Sequence, residues 1–397
     1  MAKIRTVGTT VRGIRAPIAK EGDDLVKLVA DAVLQSAEAE GYELRDRDVI
    51  GITESIVART QGNYVCIEDI ARDISRKFSG DIAVVFPILS RNRFSMILKG
   101  IALSGRKIHL FLNYPADEVG NSLMDIDLMD EKGLNPYIDV LTETEYRKLF
   151  GARVAHPFTG IDYVRMYKDL AVDNNIEIYL ANDPRVALQY SKEILVANTH
   201  ERKRTKKILL QAGAERVYCL DEILTEPVNG SGFNPEYGLL GSNKATEETL
   251  KLFPRDCQPL VNKIQELFYE KTQKRIEVLV YGDGAFKDPQ GKIWELADPV
   301  VSPGYTAGLQ GTPNEIKLKY IADNELADLA GNAQTEAMKQ KIRAKQKNLV
   351  GSAESLGTTP RKLTDLLGSL CDLTSGSGDK GTPIILIQGY FDDYATE

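Results

Sequence analysis

Apolar positions near the start of the chain recur at helical spacing and then give way to a short apolar run. Leu25, Val29 and Val33 share one face of a predicted helix, and Asp23 or Asp24 can cap its first turn. A strand follows at 49–52. The pattern therefore predicts a helix packed by one face on a sheet.

Beyond Gly62, helix-like and strand-like stretches alternate at 67–77, 82–89, 94–103 and 107–113. This alternation is typical of α/β layering. The polar, turn-rich stretch 115–139 is predicted to be a long loop.

Residues 176–224 are predicted to form a unit of their own. Their pattern indicates a strand at 176–181, helices at 184–196 and 200–212, and a second strand at 217–220. Asp183 followed by Pro184 is a suitable helix start, because an aspartate caps and proline fits the first turn. We therefore expect an inserted, parallel β-α-β unit. The charged, alanine-rich segment 316–347 favours one or two exposed helices.

Near the end, a helix-like stretch at 363–373 leads into the glycine-rich loop Ser375-Gly-Ser-Gly-Asp-Lys-Gly-Thr-Pro383, and an apolar strand follows at 384–387. Glycines let the backbone approach a bulky anion, and Lys380 supplies a charge for phosphate. P-loop and Rossmann fingerprints run from strand to loop to helix, so neither motif is present. By itself the loop is equally a plain connection.

Composition narrows the functional classes. The 397 residues allow two or three lobes, and 43% hydrophobic with 27% charged residues is ordinary for a globular protein. A net charge of −7 argues against a dedicated nucleic-acid binder. The apolar runs are too short for a bilayer and no signal pattern opens the chain, so we expect a cytoplasmic location. Four scattered cysteines and three histidines favour oxygen ligands for any metal.

Polar groups follow predicted strands in four places, which is where α/β proteins build their sites. The segments are 50–62, 156–162, 278–287 and the glycine-rich loop.

Five short motifs occur in an order that resembles the γ-glutamyl ligases of the deazaflavin coenzyme F-420. Each motif is weak alone, but five in register are specific. They are Gly13 to Pro17 with Glu21 to Leu25, Thr53-Glu-Ser55 with Arg59 and Gly62, Gly160-Ile-Asp162, the strand ending at Asp283, and Ser377-Gly-Asp379 before Pro383. The residues that carry the resemblance lie within 1–62, 152–166, 275–302 and 357–391.

The resemblance implies a dimeric ligase that depends on GTP, or ATP, and on Mg²⁺ or Mn²⁺. Phosphoryl transfer to a substrate carboxylate would give an acyl phosphate, which the amine of L-glutamate attacks. Hard cations prefer carboxylate oxygens, and Asp162 and Asp283 match the family's metal-binding aspartates. The positions that match its nucleotide contacts are Pro17, Ile18, Glu54, Ser55, Arg59, Gly376, Gly378, Asp379 and Lys380.

The chain departs from the family at several of these positions. Asp283-Gly284 stands where the family usually has Asp-Thr, and Gly376 or Ser377 stands where it has an acid. Lys380 is additional, and Arg59 replaces a lysine. Glu54 and Asp298 are candidates to restore the acidic ligands.

We therefore predict an α/β fold with a mixed-sheet, γ-glutamyl ligase-like core and an inserted Rossmann-like β-α-β unit. The expected division is 1–165 for the first part of the core, 166–274 for the inserted unit and 275–397 for the second part. The predicted function is a γ-glutamyl ligase that acts on a small carboxylate acceptor, as a homodimer, without nucleic acid or membrane.

Several alternatives stay open. The acceptor can be a folate or another small molecule, and the fold can belong to a nucleotide-binding regulator that has lost catalysis. A third alternative is a sugar or dinucleotide enzyme whose site lies at 176–224. Asp162 is also suited to cap a helix that begins at Tyr163, and Asp283 to form a turn, while a structural role is the favoured interpretation of His156. The basic run 202–207 is interpreted as a solvated face, with His200 and Asn182 as possible walls of a phosphate cleft.

Overall fold

The computed structural model describes residues 6–282, 301–355, 362–376 and 379–396, together with the backbone of two short strands at 286–287 and 294–295. Asp283, Gly378 and Asp298 lie outside the described residues. Among the helices that the structure describes, none has the length and apolar character needed to cross a membrane.

The strands of the described residues are β1 (Thr10–Ile14), β2 (Val49–Thr53), β3 (Tyr64–Cys66), β4 (Ile82–Val85), β5 (Ile108–Leu112), β6 (Leu141–Thr142), β7 (Ile176–Leu180), β8 (Glu193–Val196), β9 (Arg216–Cys219), β10 (Asn243–Lys244), β11 (Thr249–Lys251), β12 (Glu277–Gly282), β13 (Phe286–Lys287), β14 (Trp294–Glu295), β15 (Val301–Tyr305) and β16 (Ile384–Gln388).

The α-helices are α1 (Leu25–Glu40), α2 (Glu54–Thr60), α3 (Ile67–Lys77), α4 (Phe94–Ala102), α5 (Ile126–Glu131), α6 (Glu143–Phe150), α7 (Tyr163–Lys168), α8 (Arg202–Gln211), α9 (Cys257–Thr272), α10 (Leu318–Asn324), α11 (Gly331–Arg343) and α12 (Leu363–Thr374). Short 3₁₀ turns lie at Pro184–Gln189, Leu220–Glu222, Ala307–Leu309 and Ala353–Ser355.

The core sheet has the strand order β1-β16-β2-β12-β15. Only the β2–β12 pair is parallel, so the sheet is mixed, as predicted. Helices α1 and α9 cover one face and α12 covers the other. Both faces are therefore buried, which explains the uninterrupted apolar run of β16. As predicted, Asp24 caps α1, and Gly41 ends it with φ +68°.

The second sheet has the order β6-β7-β5-β4-β8-β9, in which all neighbours from β7 to β9 are parallel. Numbered along the chain, its parallel strands follow the order 3-2-1-4-5 of a doubly wound fold. The expected Rossmann-like character is thus confirmed, but residues 176–224 do not form a unit of their own, because β7, β8 and β9 share this sheet with β4 and β5. The sheet runs from Ile82 to Cys219, so the predicted boundary between 165 and 166 passes through it.

Three predicted elements differ from the structure. The predicted helix at 184–196 is wrong: a 3₁₀ turn ends at Gln189 and the run Ile194–Val196 belongs to β8, because its apolar residues are buried in the middle of the sheet. The expected loop at 115–139 contains α5, capped by Asp125. The apolar positions at 4–11 predict a first strand there, whereas within the described residues that strand starts at Thr10.

Candidate functional site

A cavity of about 1360 Å³ lies between the core sheet and the second sheet. Its wall contains residues from the end of β2, the loop after β4, the loop after β8 and the end of α12. Counting only described residues, its charged side chains are six cations and three carboxylates: Lys20, Arg59, Arg91, Arg93, Lys244 and Lys251 against Glu21, Glu54 and Asp372. The cavity is positive although the chain carries a net charge of −7, so it favours anionic ligands.

Glu54 and Lys251 form a buried ion pair on the core side of the cavity. Glu54 begins α2 directly after β2, and its side chain is 6% exposed. The ammonium of Lys251, on β11, lies 2.6 and 2.7 Å from the two Glu54 oxygens. A Cβ on Gly282 would lie 2.8 Å from Glu54 Cγ, so glycine is required there. The carboxylate is therefore held in place and neutralised.

The first loop is attached to α2 beside this pair. Arg59 Nε donates to the Ala19 carbonyl at 2.5 Å. Lys20 and Glu21 follow on the cavity wall, and Glu21 lies over Gly62, where a Cβ would overlap its carboxyl group. The predicted contacts Pro17 and Ile18 are exposed and precede this part of the wall. Ser55 lines the cavity and is exposed.

The glycine-rich loop contacts the same region. Gly376 N–H donates to Thr382 Oγ1 at 2.9 Å, and Ala16 N–H donates to the Gly381 carbonyl at 3.3 Å. Ser375, at its start, lines the cavity. Asp379 and Lys380 are exposed, and the Lys380 stem lies where a Cβ on Gly376 would be. The structure thus brings the first loop, the start of α2 and the glycine-rich loop together.

Asp162 does not line this cavity. Its carboxylate accepts two hydrogen bonds from the Arg147 guanidinium, at 2.6 and 2.9 Å, and one each from the backbone N–H of Val154 and Arg165, at 3.0 and 2.9 Å. Burial raises the pKa of this carboxyl group, but Arg147 and the N–H donors outweigh burial and lower the pKa overall. Both oxygens are occupied by donors, which favours the helix-capping alternative over the metal-ligand role. Its expected partner, Asp283, lies outside the described residues.

His156 supports the loop that carries Phe158 and Thr159 into the cavity wall. Its Nδ1 accepts from the backbone N–H of both residues, at 3.3 and 3.1 Å, which places the proton on Nε2. Burial lowers the pKa of the ring. The structural role is therefore favoured.

The predicted phosphate cleft near α8 is not part of the cavity wall. His200 contacts Glu118 at 3.2 Å, and Asn182 bonds to Asn113 at 3.0 Å. In the basic run, Arg202 pairs with Asp221 and Lys206 with Glu222. These two acids and Cys219 are the one group of possible metal ligands within reach of each other in the described part of the chain. Since both acids already have cationic partners, their arrangement is explained without a metal.

The second sheet contributes the opposite wall, which the sequence analysis did not assign to a site. Ser90 to Phe94 line the cavity after β4, and Ala197 and Thr199 line it after β8. Buried Asp117 fixes this wall by accepting from the backbone N–H of Leu89 at 2.8 Å and from both the backbone and the side chain of Asn121. Burial raises the pKa of Asp117 to about 6.

Sequence reasoning missed Lys251 because its partner lies 197 residues away and no local motif marks the pair. Arg91 and Arg93 had a usable signal. They stand directly after the apolar run that begins at Ile82, the same position relative to a strand that singled out the four candidate segments.

Comparison with known families adds one finding. A family model described as F420-0:Gamma-glutamyl ligase matches residues 13–389. No curated protein matches the chain. The match extends over the second sheet, beyond the residues that carried the resemblance.

Proposed function

Because the chain belongs to the F420-0:gamma-glutamyl ligase family, we propose that it forms a γ-glutamyl amide bond between L-glutamate and a small carboxylate acceptor, with GTP or ATP as phosphoryl donor. The observation that carries this proposal is the positive cavity in an acidic protein. Nucleotide, glutamate and acceptor are all anions, and such a cavity concentrates anions.

In the proposed reaction the acceptor carboxylate, which must be the γ-carboxylate of a glutamyl group if the product is a γ-glutamyl amide, attacks the terminal phosphorus, and the nucleoside diphosphate leaves. The glutamate amine then attacks the acyl carbon, the C–O bond to phosphate breaks, and inorganic phosphate leaves with the bonding pair while the nitrogen loses a proton. Such chemistry depends on positioning and on neutralising the transferred group.

The core wall carries the residues for this task. Lys20, Arg59 and Lys251 supply positive charge near the glycine-rich loop. Glu54 holds the Lys251 ammonium at a fixed place on the wall, so little side-chain entropy is lost when a phosphoryl group binds.

The donor set also fits a hard divalent cation. Glu21, Glu54 and Asp372 offer carboxylates at the core end of the cavity. Mg²⁺ keeps several waters and uses one or two carboxylates together with substrate phosphates, so a complete protein cage is not required. We propose that Glu21 or Asp372, together with Asp283 and the nucleotide phosphates, holds Mg²⁺ or Mn²⁺, because both Glu54 oxygens already accept from the Lys251 ammonium. When bound, the ion neutralises the nucleotide phosphates.

The test is phosphate release from GTP and from ATP, with Mg²⁺, across a panel of carboxylate acceptors that includes a folate. A ligase releases phosphate only when acceptor and glutamate are both present. Release that does not need glutamate would contradict the proposal. Light scattering at micromolar concentration tests the accompanying proposal of a homodimer.

A nucleotide-binding regulator without catalysis is the second candidate. The observation in its favour is that the Glu54 carboxylate is already neutralised by Lys251. Tight nucleotide binding without phosphate release in any combination of substrates would favour this candidate.

A further inference from the structure

We propose that the cavity wall formed by the second sheet binds the acceptor, and that Arg91 receives an anionic group of it, a carboxylate or a phosphate other than the carboxylate that reacts. This inference rests on the proposed ligase function, and it assigns to the second sheet the choice of substrate.

The first support is the topology of the second sheet. The chain leaves β4 for α4, which packs in the cluster with Ile82 and Val84 on one face. It leaves β8 for α8, whose Leu209 packs with Ala83 and Val85 on the other face. Neighbouring strands whose connections diverge to opposite faces open a crevice at their carboxyl ends, where doubly wound folds bind ligands. The cavity includes that crevice, through Ser90 to Phe94 on one side and Thr199 on the other.

The second support is the charge of Arg91. Its side chain is exposed, and no carboxylate in the described part of the chain pairs with it. It stands just before α4, where the helix N-terminus is itself positive, so a cation there is unfavourable without an anion. The guanidinium lies near the buried Tyr163 hydroxyl on the cavity wall: burial raises the pKa of Tyr163 and the charge of Arg91 opposes that rise.

An independent feature of the cavity lining points to a polar ligand. Ser242 lines the cavity with 2% of its surface exposed, and its hydroxyl has no hydrogen-bond partner among the described residues. The segment is joined to the start of α4, because Lys244 N–H donates to the Asn92 carbonyl at 2.7 Å. A buried hydroxyl without a partner is costly, and a polar ligand atom would satisfy it.

Size and lining indicate the class of ligand. Pockets for one small molecule usually enclose roughly 300–1,000 Å³, whereas this cavity has about 1360 Å³, enough for a second ligand beside the nucleotide. The cavity lining also includes the apolar residues Leu89, Phe158, Leu239 and Leu240. The acceptor is therefore a small molecule with an apolar or aromatic body and an anionic group that Arg91 binds.

The experiment uses two aromatic anions that differ in the charged group, phenyl phosphate and phenylacetate, with benzyl alcohol as the neutral control. Calorimetric titration is performed on the wild-type chain and on Arg91→Gln, Arg59→Gln and Arg204→Gln. Arg204 is the matched control, since it lies on α8 with its side chain 75% exposed. We expect Arg91→Gln to weaken the binding of one of the two anions by about tenfold, in line with one lost charge-assisted hydrogen bond. Arg204→Gln should change the affinity for neither anion by as much as twofold.

Ser242→Ala separates a ligand role from a structural role. Removal of an unpaired hydroxyl should leave the melting temperature unchanged or raised, yet it should weaken the bound anion. A lower melting temperature with unchanged anion affinity would overturn the role of Ser242 as a ligand contact.

Nucleotide titration with Mg²⁺ on the same proteins distinguishes failure of this inference from failure of the proposed function. The inference is overturned if wild type and Arg91→Gln bind the aromatic anions with equal affinity. It is also overturned if Arg59→Gln loses affinity for the anions while Arg91→Gln keeps it. Loss of nucleotide affinity in Arg91→Gln would assign the arginine to the nucleotide and overturn it as well. If the wild type binds no nucleotide, the ligase proposal fails and the acceptor role fails with it, even where the anion still depends on Arg91.

Discussion

The two walls of the cavity differ in whether their charged side chains have partners within the protein. On the core wall, Glu54 and Lys251 neutralise each other and the loops are tied by backbone hydrogen bonds. On the second-sheet wall, Arg91 has no carboxylate partner in the described residues. The buried carboxylate of Asp117 instead accepts from the backbone of this wall at Leu89. The buried charges of the core wall, Glu54 and Lys251, are thus paired with each other, whereas exposed Arg91 on the other wall is left for a ligand. This contrast is what we expect if the core carries the common chemistry and the second sheet selects the substrate.

The largest effect, a loss of stability, is expected when the buried ion pair of the core wall is broken. Lys251→Met removes the ammonium that neutralises the buried Glu54 carboxylate, which should lower the free energy of unfolding by about 3–5 kcal/mol. Urea denaturation at pH 7 measures it. The control is the double variant Lys251→Met with Glu54→Gln, which removes both charges and should recover much of the loss. If the double variant is no more stable than the single variant, the loss of stability does not come from the unneutralised Glu54 charge.

The second-sheet wall should respond to pH through Asp117. Its pKa is raised from 3.8 to about 6, so between these values the folded state binds more protons than the unfolded state. The contribution of Asp117 to stability should therefore fall by about 3 kcal/mol as pH rises from about 4 to 6, and level off above. Carboxyl ¹³C shifts report the titration directly. Asn121→Ala removes a donor to the carboxylate and should raise the pKa further; an unchanged pKa would disprove the role of Asn121.

Local patterns predicted α1, α12 and β16, because the two helices bury faces whose periodicity is visible in sequence and β16 is an uninterrupted apolar run. β8 was not predicted, since an apolar run of three residues behind a good helix start fits either structure until the sheet that surrounds it is known. The order 3-2-1-4-5 also depends on pairings between distant strands, which no local pattern specifies.

Some residues of the candidate site could likewise be predicted from local sequence, and others could not. Glu54, Ser55 and Arg59 were predicted and line the cavity, because each follows β2 directly. Lys251 reaches the same wall from β11, 197 residues after Glu54 in the chain, so its place in the site can be seen only in the folded structure. Asp162 matched a motif, yet its surroundings supply four donors that the motif did not include.

A smaller effect should decide the role of Asp162. Asp162→Asn removes a charged partner of Arg147 and weakens the cap of α7, which should cost about 2 kcal/mol of unfolding free energy at pH 7. Because the folded pKa is lowered, this difference should shrink as pH falls through the ordinary carboxyl range. Asp169→Asn, at an exposed carboxylate, is the matched control. Metal affinity should be unchanged in both; a selective loss in Asp162→Asn would restore the metal-ligand role.

The smallest expected effect concerns Lys380, which tests whether the core wall also offers charge outwards. The residue is exposed, its stem lies beside Gly376, and Ser375 connects the loop to the cavity. A lysine stem spans several ångströms, so the ammonium can reach nucleotide phosphates, and loss of one charge-assisted contact should weaken nucleotide binding about tenfold in Lys380→Ala. Lys203→Ala, at an exposed lysine on α8, is the matched control. Dissociation constants at fixed Mg²⁺ decide between two structures of this wall. A tenfold loss makes the glycine-rich loop part of the nucleotide site, whereas a change below twofold in both variants reduces it to a connection between α12 and β16.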